Sequence, residues 1–231
     1  MAERREEKYL IDYSEYSVIA NRIRALLTPD KNAPDGRYSI CSLYFDDPFD
    51  TALAEKEDGN AVHVKFRIRT YDTPGAPLRL EIKEKFRGFT KKSAALLDRE
   101  TYDGILAGEM LPFGEDPVKN ALLLQMRCRK MAPKIAVVYQ RTAYIHPAGN
   151  VRVTFDRNIM ASRDLESFFD PHMSGLVPVL PAGLHVMEVK YDEMLPDIIA
   201  QQLETGKLRQ TAFSKYYLGR LAVRGEFPAG K

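Results

Sequence analysis

The sequence predicts an α+β protein that combines amphipathic helices with strands having one apolar and one basic face. Residues 61–71 and 78–85 alternate apolar and polar side chains with the period of two that is typical of half-buried strands. Other segments repeat apolar residues at steps of three and four, which indicates helices. The composition, 45% hydrophobic and 29% charged, is ordinary for a globular chain. Because no repeat or long linker interrupts the 231 residues, we predict a single domain over residues 1–231.

The positions of the predicted elements follow from apolar spacing and from terminal signals. Tyr16, Ile19 and Ile23 recur at helical steps, so a helix is predicted over residues 14–27, before Pro29. The further predicted helices are residues 51–57, 96–106, 117–131, 195–204 and 211–223. The predicted strands are residues 38–45, 61–71, 78–85, 135–144, 150–156 and 185–191.

Cysteine usage, charge and hydropathy argue against several classes of protein. Cys41 and Cys128 lie far apart without CxxC spacing, so we predict neither a zinc site nor a disulfide framework. The net charge of +2 gives no chain-wide attraction for nucleic acid. The N-terminus lacks an apolar signal segment, and no apolar stretch approaches the roughly 20 residues that span a bilayer. We therefore predict a soluble, cytoplasmic protein without a transmembrane segment.

The polar face of the strand at 61–71 carries a row of basic side chains: His63, Lys65, Arg67 and Arg69. A solvated sheet face is the simplest interpretation of such a row. However, like charges roughly 7 Å apart repel one another, and the pattern recurs on later strands. The recurring positions are Lys83, Lys85, Arg141, Arg152 and Lys190. Several strands with cations on one face predict a basic trough for a phosphate chain, and the lack of aromatic side chains on that face argues against bases.

Two carboxylates belong to the same strand faces. Glu81 lies two residues before Lys83, and Glu188 lies two residues before Lys190. Each carboxylate either pairs with its neighbouring lysine or, together with phosphate oxygens, binds Mg²⁺ or Mn²⁺. The chain has no GxxxxGK[ST] motif, and no Ser/His/Asp or Cys/His grouping is evident. Phosphoryl transfer depends mainly on positioning and charge neutralisation, which these residue types supply.

Eight short segments, in order over nearly the whole chain, resemble the VTC domain of polyphosphate polymerases, within the triphosphate tunnel metalloenzyme superfamily. They are Arg4-x-Glu6-x-Lys8-Tyr9, Ser42-Leu43-Tyr44-Phe45-Asp46, Lys65-Phe66-Arg67-Ile68-Arg69-Thr70-Tyr71, Leu80-Glu81-Ile82-Lys83 with Lys91-Lys92, Arg141-Thr142-Ala143-Tyr144, Val151-Arg152-Val153, Met187-Glu188-Val189-Lys190 and Ser214-Lys215-Tyr216. The resemblance implies an antiparallel eight-stranded β-barrel, the triphosphate tunnel, with helices packed outside. In eukaryotic members the γ-phosphate of ATP is moved onto a growing polyphosphate chain.

The resemblance also implies the site residues. With the strand rows, it predicts these phosphate-binding residues: Lys8, Lys65, Arg67, Arg69, Lys83, Lys91, Lys92, Arg141, Arg152, Lys190 and Lys215. The predicted catalytic residues are Lys8, Arg67, Arg69, Lys83, Arg141, Arg152 and Glu188. Glu188 is the predicted ligand of Mn²⁺ or Mg²⁺. Two positions depart from the pattern: His63 replaces an expected arginine, and Arg4 replaces the first glutamate of the ExExK motif of related triphosphatases.

Three functions remain compatible with these residues. The first is a metal-dependent polyphosphate polymerase that uses ATP, and the second is an inorganic triphosphatase or polyphosphatase on the same scaffold. The third is a non-catalytic polyphosphate-binding module or an RNA-binding barrel. Glu188 argues against pure binding, because a carboxylate opposes an anion unless a metal lies between them. The predicted partners are therefore ATP, triphosphate or polyphosphate, and not nucleic acid.

Overall fold

The computed structural model describes residues 4–30, 36–57, 62–72, 75–86, 89–170 and 172–226, which contain ten strands and six α-helices. The strands are β1 Arg4–Asp12, β2 Thr28–Pro29, β3 Tyr38–Asp46, β4 Val62–Tyr71, β5 Leu78–Phe86, β6 Phe89–Leu97, β7 Ala132–His146, β8 Val151–Ser162, β9 Val177–Pro178 and β10 Leu184–Asp192. The helices are α1 Tyr13–Ile23, α2 Thr51–Glu57, α3 Arg99–Ala107, α4 Pro117–Arg129, α5 Asp197–Leu203 and α6 Lys215–Arg224.

The chain divides into two compact units. The first unit comprises Met1–Ser39, Tyr139–Ile159 and Pro178–Ser214, and the second comprises Ile40–Val138, Met160–Val177 and Lys215–Lys231. Neighbouring strands follow the order β1-β10-β8-β7 in the first unit and β7-β3-β4-β5-β6 in the second. The α+β class and the antiparallel sheet are confirmed, with eight long strands on this path and the two-residue strands β2 and β9 beside it. The sheet differs from the expected barrel in being open in the part of the chain that the structure describes.

The core of the first unit lies between its strands and α1. Asp12 caps the helix: its carboxylate accepts a hydrogen bond from the Glu15 amide, and the Glu15 carboxylate accepts one from the Asp12 amide. The buried side of α1 includes Tyr16, whose ring packs edge-on against Phe155 of β8 at 5.1 Å between centroids. The apolar sides of β8 and β10 therefore meet a helix, as the alternation predicts.

The core of the second unit lies on the apolar face of β4 and β5. Phe66 and Ile68 of β4 and Leu80 of β5 are buried there, together with apolar residues of α3 and α4. Asp98 and Asp116 cap the two helices, and Pro117 occupies the first turn of α4. Because alternate residues of a strand point to opposite sides, this burial leaves the basic residues of β4 on the other face.

The predicted helix over residues 96–106 is wrong in its first part. Leu96 and Leu97 end strand β6, and the helix begins only at Arg99, after the Asp98 cap. Strands β1 and β6 were not among the elements predicted from apolar alternation. Most residues of β1 are charged, and in β6 the adjacent Lys91 and Lys92 interrupt any alternation. Hydrogen bonding to β10 and β5, respectively, therefore defines these strands where apolar periodicity does not.

Candidate functional site

The basic face of β4 continues across β5 and β6. Register pairs join Tyr44 to Arg67 and Arg67 to Glu81, and a neighbouring row joins Lys65, Lys83 and Lys92. Cross-strand partners in register share one face of a sheet. The structure therefore brings together the following predicted residues in the second unit: Lys65, Arg67, Arg69, Lys83 and Lys92.

Glu81 lies at the centre of this group. Its carboxylate accepts hydrogen bonds from Arg67 Nε at 2.6 Å and from Lys92 Nζ at 2.5 Å, and Arg69 Nη1 lies 3.8 Å away. The side chain is buried, and burial alone raises its pKa. The charges of Arg67, Arg69 and Lys92 outweigh burial and lower the pKa of Glu81 to about 2. We call Arg67, Arg69, Glu81 and Lys92 the Glu81 cluster; its carboxylate is ionised at neutral pH and holds the cations in place.

Tyr44 of β3 contacts the Glu81 cluster, although it is not among the predicted site residues. Its buried hydroxyl accepts a long hydrogen bond, 3.5 Å, from Arg67 Nη1. Burial raises the pKa of Tyr44, but the charges of Arg67, Lys215 and Arg69 outweigh it, so the net shift is downward. Lys215, which contributes to this shift, is the first residue of α6.

The position of Lys215 depends on how α6 is held. The next residue, Tyr216, donates a hydrogen bond to Asp46 Oδ2 at 2.5 Å, and its ring centroid lies 5.6 Å from that of Tyr44. One turn further, Arg220 Nη2 lies 2.8 Å from the Asp50 carboxylate. These contacts fix the N-terminal turn of α6, which begins with the predicted residue Lys215, beside Tyr44.

Lys91 is the predicted phosphate-binding residue that the structure separates from the others in this unit. It stands in register with Glu84 of β5, and the two charged groups are 3.8 Å apart. Glu84 shares its face of β5 with Ile82 and Leu80, which is the apolar face. Since neighbouring strand residues point in opposite directions, Lys91 and Lys92 lie on opposite faces of β6.

In the first unit, Lys8, Glu188, Lys190 and Glu6 form a second group, which we call the Glu188 cluster. Lys8 is in register with Glu188, and Glu6 is in register with Lys190. Lys8 Nζ lies 2.9 Å from Glu6 Oε1 and 3.8 Å from Glu188 Oε2. Lys190 contacts the Glu188 carboxylate and lies 4.0 Å from Glu6 Oε2. Two carboxylates and two lysines therefore alternate on one face of β1 and β10.

Burial shifts the pKa of Lys190 in this cluster. Glu188 is only 6% exposed. Burial lowers the pKa of Lys190, and the nearby charge of Arg141 adds to this effect. Glu188 and Glu6 act in the opposite direction without cancelling the shift. Lys190 is therefore held in its charged form less firmly than an exposed lysine.

Arg141 and Arg152 complete the predicted residues of the first unit. Arg141 makes a two-pronged contact with Asp156, with Nε and Nη2 donating to the two carboxylate oxygens at 2.6 and 2.7 Å. Arg152 Nη2 lies 2.6 Å from Asp30 Oδ2, and the same nitrogen donates to the Tyr38 hydroxyl at 3.2 Å. The acidic partners were not predicted. The i, i+2, i+4 spacing of Arg152, Thr154 and Asp156 is a signal that could have revealed Asp156, whereas no local signal marks Asp30.

The donor set around Glu188 is compatible with one hard divalent cation. In the described ranges no three His, Cys, Asp or Glu side chains gather as a metal site. Glu188 and Glu6 nevertheless both reach the same lysines, so two carboxylates face one small region. Mg²⁺ and Mn²⁺ accept one or two carboxylates when phosphate oxygens and water supply their other ligands. The residues present therefore fit such an ion in the company of a phosphate substrate.

Among the helices of the described segments, none is long and apolar enough to cross a bilayer.

The strand order and the helices on the apolar strand faces define an α+β protein with the triphosphate tunnel fold. The chain belongs to the VTC domain family, whose pattern matches residues 3–224. It is similar in fold to a candidate adenylate cyclase from Bacillus halodurans, with 12% identity, a TM-score of 0.52 and coverage of 93% of this chain and 94% of that one. It is also similar to HpAC1 from Hippeastrum, a candidate adenylyl cyclase with a dominant triphosphatase activity, with 14% identity, a TM-score of 0.53 and 95% coverage of both chains. No curated protein sequence matches it.

Proposed function

We propose that this chain binds a triphosphate or polyphosphate chain and catalyses metal-dependent phosphoryl transfer on it, with ATP as donor and polyphosphate as acceptor. Membership of the VTC domain family supports the choice of substrate class. The observation that carries the proposal is the pair of buried carboxylates, Glu81 and Glu188, each surrounded by cations on the polar face of a sheet.

The Glu81 cluster is suited to phosphate without a metal. Three cations, Arg67, Arg69 and Lys92, surround one carboxylate, which leaves a formal surplus of two positive charges. The guanidinium groups can contact phosphate oxygens in a two-pronged manner, whereas the lysine acts as a point charge. Because Glu81 already holds the cations in place, little side-chain entropy is lost when a phosphate chain binds. We assign phosphate binding and orientation to this cluster, together with Lys65, Lys83 and Lys215.

The Glu188 cluster is suited to phosphate only when a metal is present. Two lysines, Lys8 and Lys190, balance two carboxylates, Glu6 and Glu188, so the formal charge is zero. A bound Mn²⁺ or Mg²⁺ adds two positive charges and polarises phosphate oxygens. Glu188, with Glu6 beside it, is the residue that we propose as its ligand. Lys8 and Lys190 then become available to phosphate oxygens, and Arg141 and Arg152 extend the basic surface along β7 and β8.

The second candidate function is hydrolysis of triphosphate or polyphosphate. HpAC1, which has a similar fold, has a dominant triphosphatase activity. Polymerase and triphosphatase need the same cations and the same metal, and they differ only in whether a phosphate chain or water attacks. The product therefore distinguishes them, while the loss of activity in a variant does not.

The test is an incubation of the purified chain with ATP or with tripolyphosphate, in the presence of Mn²⁺, Mg²⁺ or a chelator. The products are then separated into long polyphosphate and orthophosphate. Metal-dependent formation of long chains from ATP is the expected result. Orthophosphate alone, released from either substrate, would establish the triphosphatase. Binding without turnover in either metal would leave a non-catalytic polyphosphate-binding module and refute the enzymatic proposal. The Arg67→Ala/Arg69→Ala protein, purified in parallel, controls for a contaminating phosphatase.

A further inference from the structure

A cavity of about 390 Å³ lies in the first unit, lined by basic and hydroxyl-bearing side chains. We call it the arginine pocket, and its characteristic residues are Tyr16, Arg24, Arg37, Thr142, Tyr144 and Arg157. Its volume falls within the range of roughly 300–1,000 Å³ that is typical of small-molecule sites.

The arginine pocket lies on the opposite face of β7 and β8 from the predicted site residues of the first unit. On β7, Arg141 belongs to the site and Thr142 to the pocket; on β8, Asp156 pairs with Arg141 while Arg157 lines the pocket. Consecutive strand residues point to opposite faces, so the two sets are separated by the thickness of the sheet. The pocket is therefore not an extension of the Glu188 cluster.

The arginines of the pocket have no acidic partner among the described residues, and no described carboxylate lines the cavity. Arg24 Nε donates to the Tyr144 hydroxyl at 3.0 Å, and its Nη1 donates to Asn21 at 3.4 Å. The guanidinium of Arg157 lies 4.7 Å from the ring centroid of Tyr16, and its Nε is buried without a hydrogen-bond partner. Burying a charged donor without an acceptor is costly, and an anion bound in the pocket would remove this cost.

We propose that the arginine pocket is a second anion-binding site, which takes a small condensed phosphate of two or three phosphoryl groups. Guanidinium forks match phosphate oxygens in a two-pronged manner, and phenolic hydroxyls can also donate to them. Three full positive charges match an anion with several charges better than they match a single monoanion. The site is independent of the catalytic proposal, since none of its residues belongs to the Glu81 or Glu188 clusters.

The experiment measures pyrophosphate binding by calorimetry in the Arg67→Ala/Arg69→Ala background of the full chain, which weakens the predicted substrate site. We expect one pyrophosphate per chain to remain bound. Adding Arg24→Gln/Arg37→Gln, at two exposed positions, is expected to weaken this binding at least about a hundredfold. The charge-matched pair Arg22→Gln/Arg209→Gln, outside the pocket, is expected to leave it unchanged.

Equal losses in the two glutamine pairs, or residual binding that neither pair weakens, would overturn the proposal. Absence of pyrophosphate binding in the background protein would overturn it as well. In an otherwise unchanged chain, Arg24→Gln/Arg37→Gln is expected to keep the rate of ATP turnover of the parent protein. If the parent protein has no turnover, the proposed function fails. The calorimetric result still tests whether the arginine pocket binds pyrophosphate.

Discussion

Arg67 Nε and the Glu81 carboxylate lie 2.6 Å apart on the polar face of β4 and β5, and the same carboxylate holds Lys92 at 2.5 Å. The contact explains how a strand with a row of cations folds without a bound anion. One buried carboxylate between three cations replaces repulsion with attraction, and their charges keep the pKa of Glu81 at about 2 despite its burial. The ligand-free fold therefore depends on Glu81, whereas the ligand-bound fold has a second source of negative charge.

The first prediction concerns Glu81→Gln. The pKa of Glu81 falls from an ordinary 4.5 to about 2 in the folded chain, which corresponds to about 3 kcal/mol of unfolding free energy at neutral pH. We expect the variant to be destabilised by that order in the absence of ligand. Because the folded-state pKa is the lower one, the contribution is complete above about pH 4.5 and is lost as pH falls toward about 2.

The measurement is chemical unfolding of both proteins between neutral pH and pH 2. Glu84→Gln is the matched control, because Glu84 is more exposed and contacts Lys91 on the other face. A stability difference between wild type and Glu81→Gln that stays constant across this pH range would contradict the assignment.

The second prediction uses the neighbours Lys91 and Lys92. Lys92→Ala removes a cation of the Glu81 cluster and is expected to weaken tripolyphosphate binding by about tenfold or more, the value of one charge-assisted contact. Lys91→Ala, on the opposite face and with its side chain 78% exposed, is expected to leave the affinity unchanged. Calorimetry at one ionic strength makes the comparison. Equal effects of the two substitutions would mean that general charge, and not a site, determines binding.

The third prediction concerns Tyr44. Because nearby cations lower its pKa from the usual 10.0, its hydroxyl begins to ionise at a lower pH than a free tyrosine. A phenolate beside Arg67 opposes a bound phosphate chain. We expect the affinity of wild type for tripolyphosphate to decline as pH rises from neutrality toward 10, and the decline to be smaller in Tyr44→Phe. Identical pH profiles in the two proteins would exclude Tyr44 from the site, since loss of lysine charge affects both equally.

Sequence patterns predict which candidate residues share a strand face best where alternation is strong. On β4, apolar and basic residues alternate without exception from Val62 to Arg69, so the common face of Lys65 and Arg67 follows from the strand period. On β6 the two lysines and the small residues interrupt the apolar alternation that indicates a strand. Residues 96–106 are therefore predicted as a helix, although Leu96 and Leu97 belong to β6. Without that strand, the opposite directions of Lys91 and Lys92 could not be inferred.

Local sequence patterns do not reveal the acidic partners of the arginines, because these partners lie on other segments of the chain. Asp30 is distant from Arg152 in sequence, and only the tertiary fold brings the two side chains into contact. Arg24, Arg37 and Arg157 come from three separate segments in the same way. Tertiary contacts of this kind carry no periodicity, so a single sequence does not reveal them.

The last prediction separates catalysis from binding at Glu188. Replacing this residue with glutamine keeps its size and removes the charge that we propose for the metal. The formal charge of the Glu188 cluster then rises from zero to one positive charge, because two lysines face Glu6 alone. We expect Glu188→Gln to lose nearly all metal-dependent turnover of ATP or tripolyphosphate. With chelator present, its affinity for tripolyphosphate is expected to equal or exceed that of wild type, since a repulsive carboxylate has gone.

The two measurements are product formation in Mn²⁺ and calorimetric binding in chelator, made on wild type, Glu188→Gln and Glu6→Gln. Glu6→Gln raises the charge of the cluster by the same amount, so it controls for charge alone, while its more exposed side chain makes a weaker metal ligand. We therefore expect Glu6→Gln to retain part of the turnover. Full activity of Glu188→Gln would mean that Glu188 serves only as an ion-pair partner of Lys8 and Lys190. Weaker binding without metal would mean that Glu188 holds Lys8 and Lys190 in position for phosphate. Only lost turnover together with retained binding agrees with Glu188 as a metal ligand.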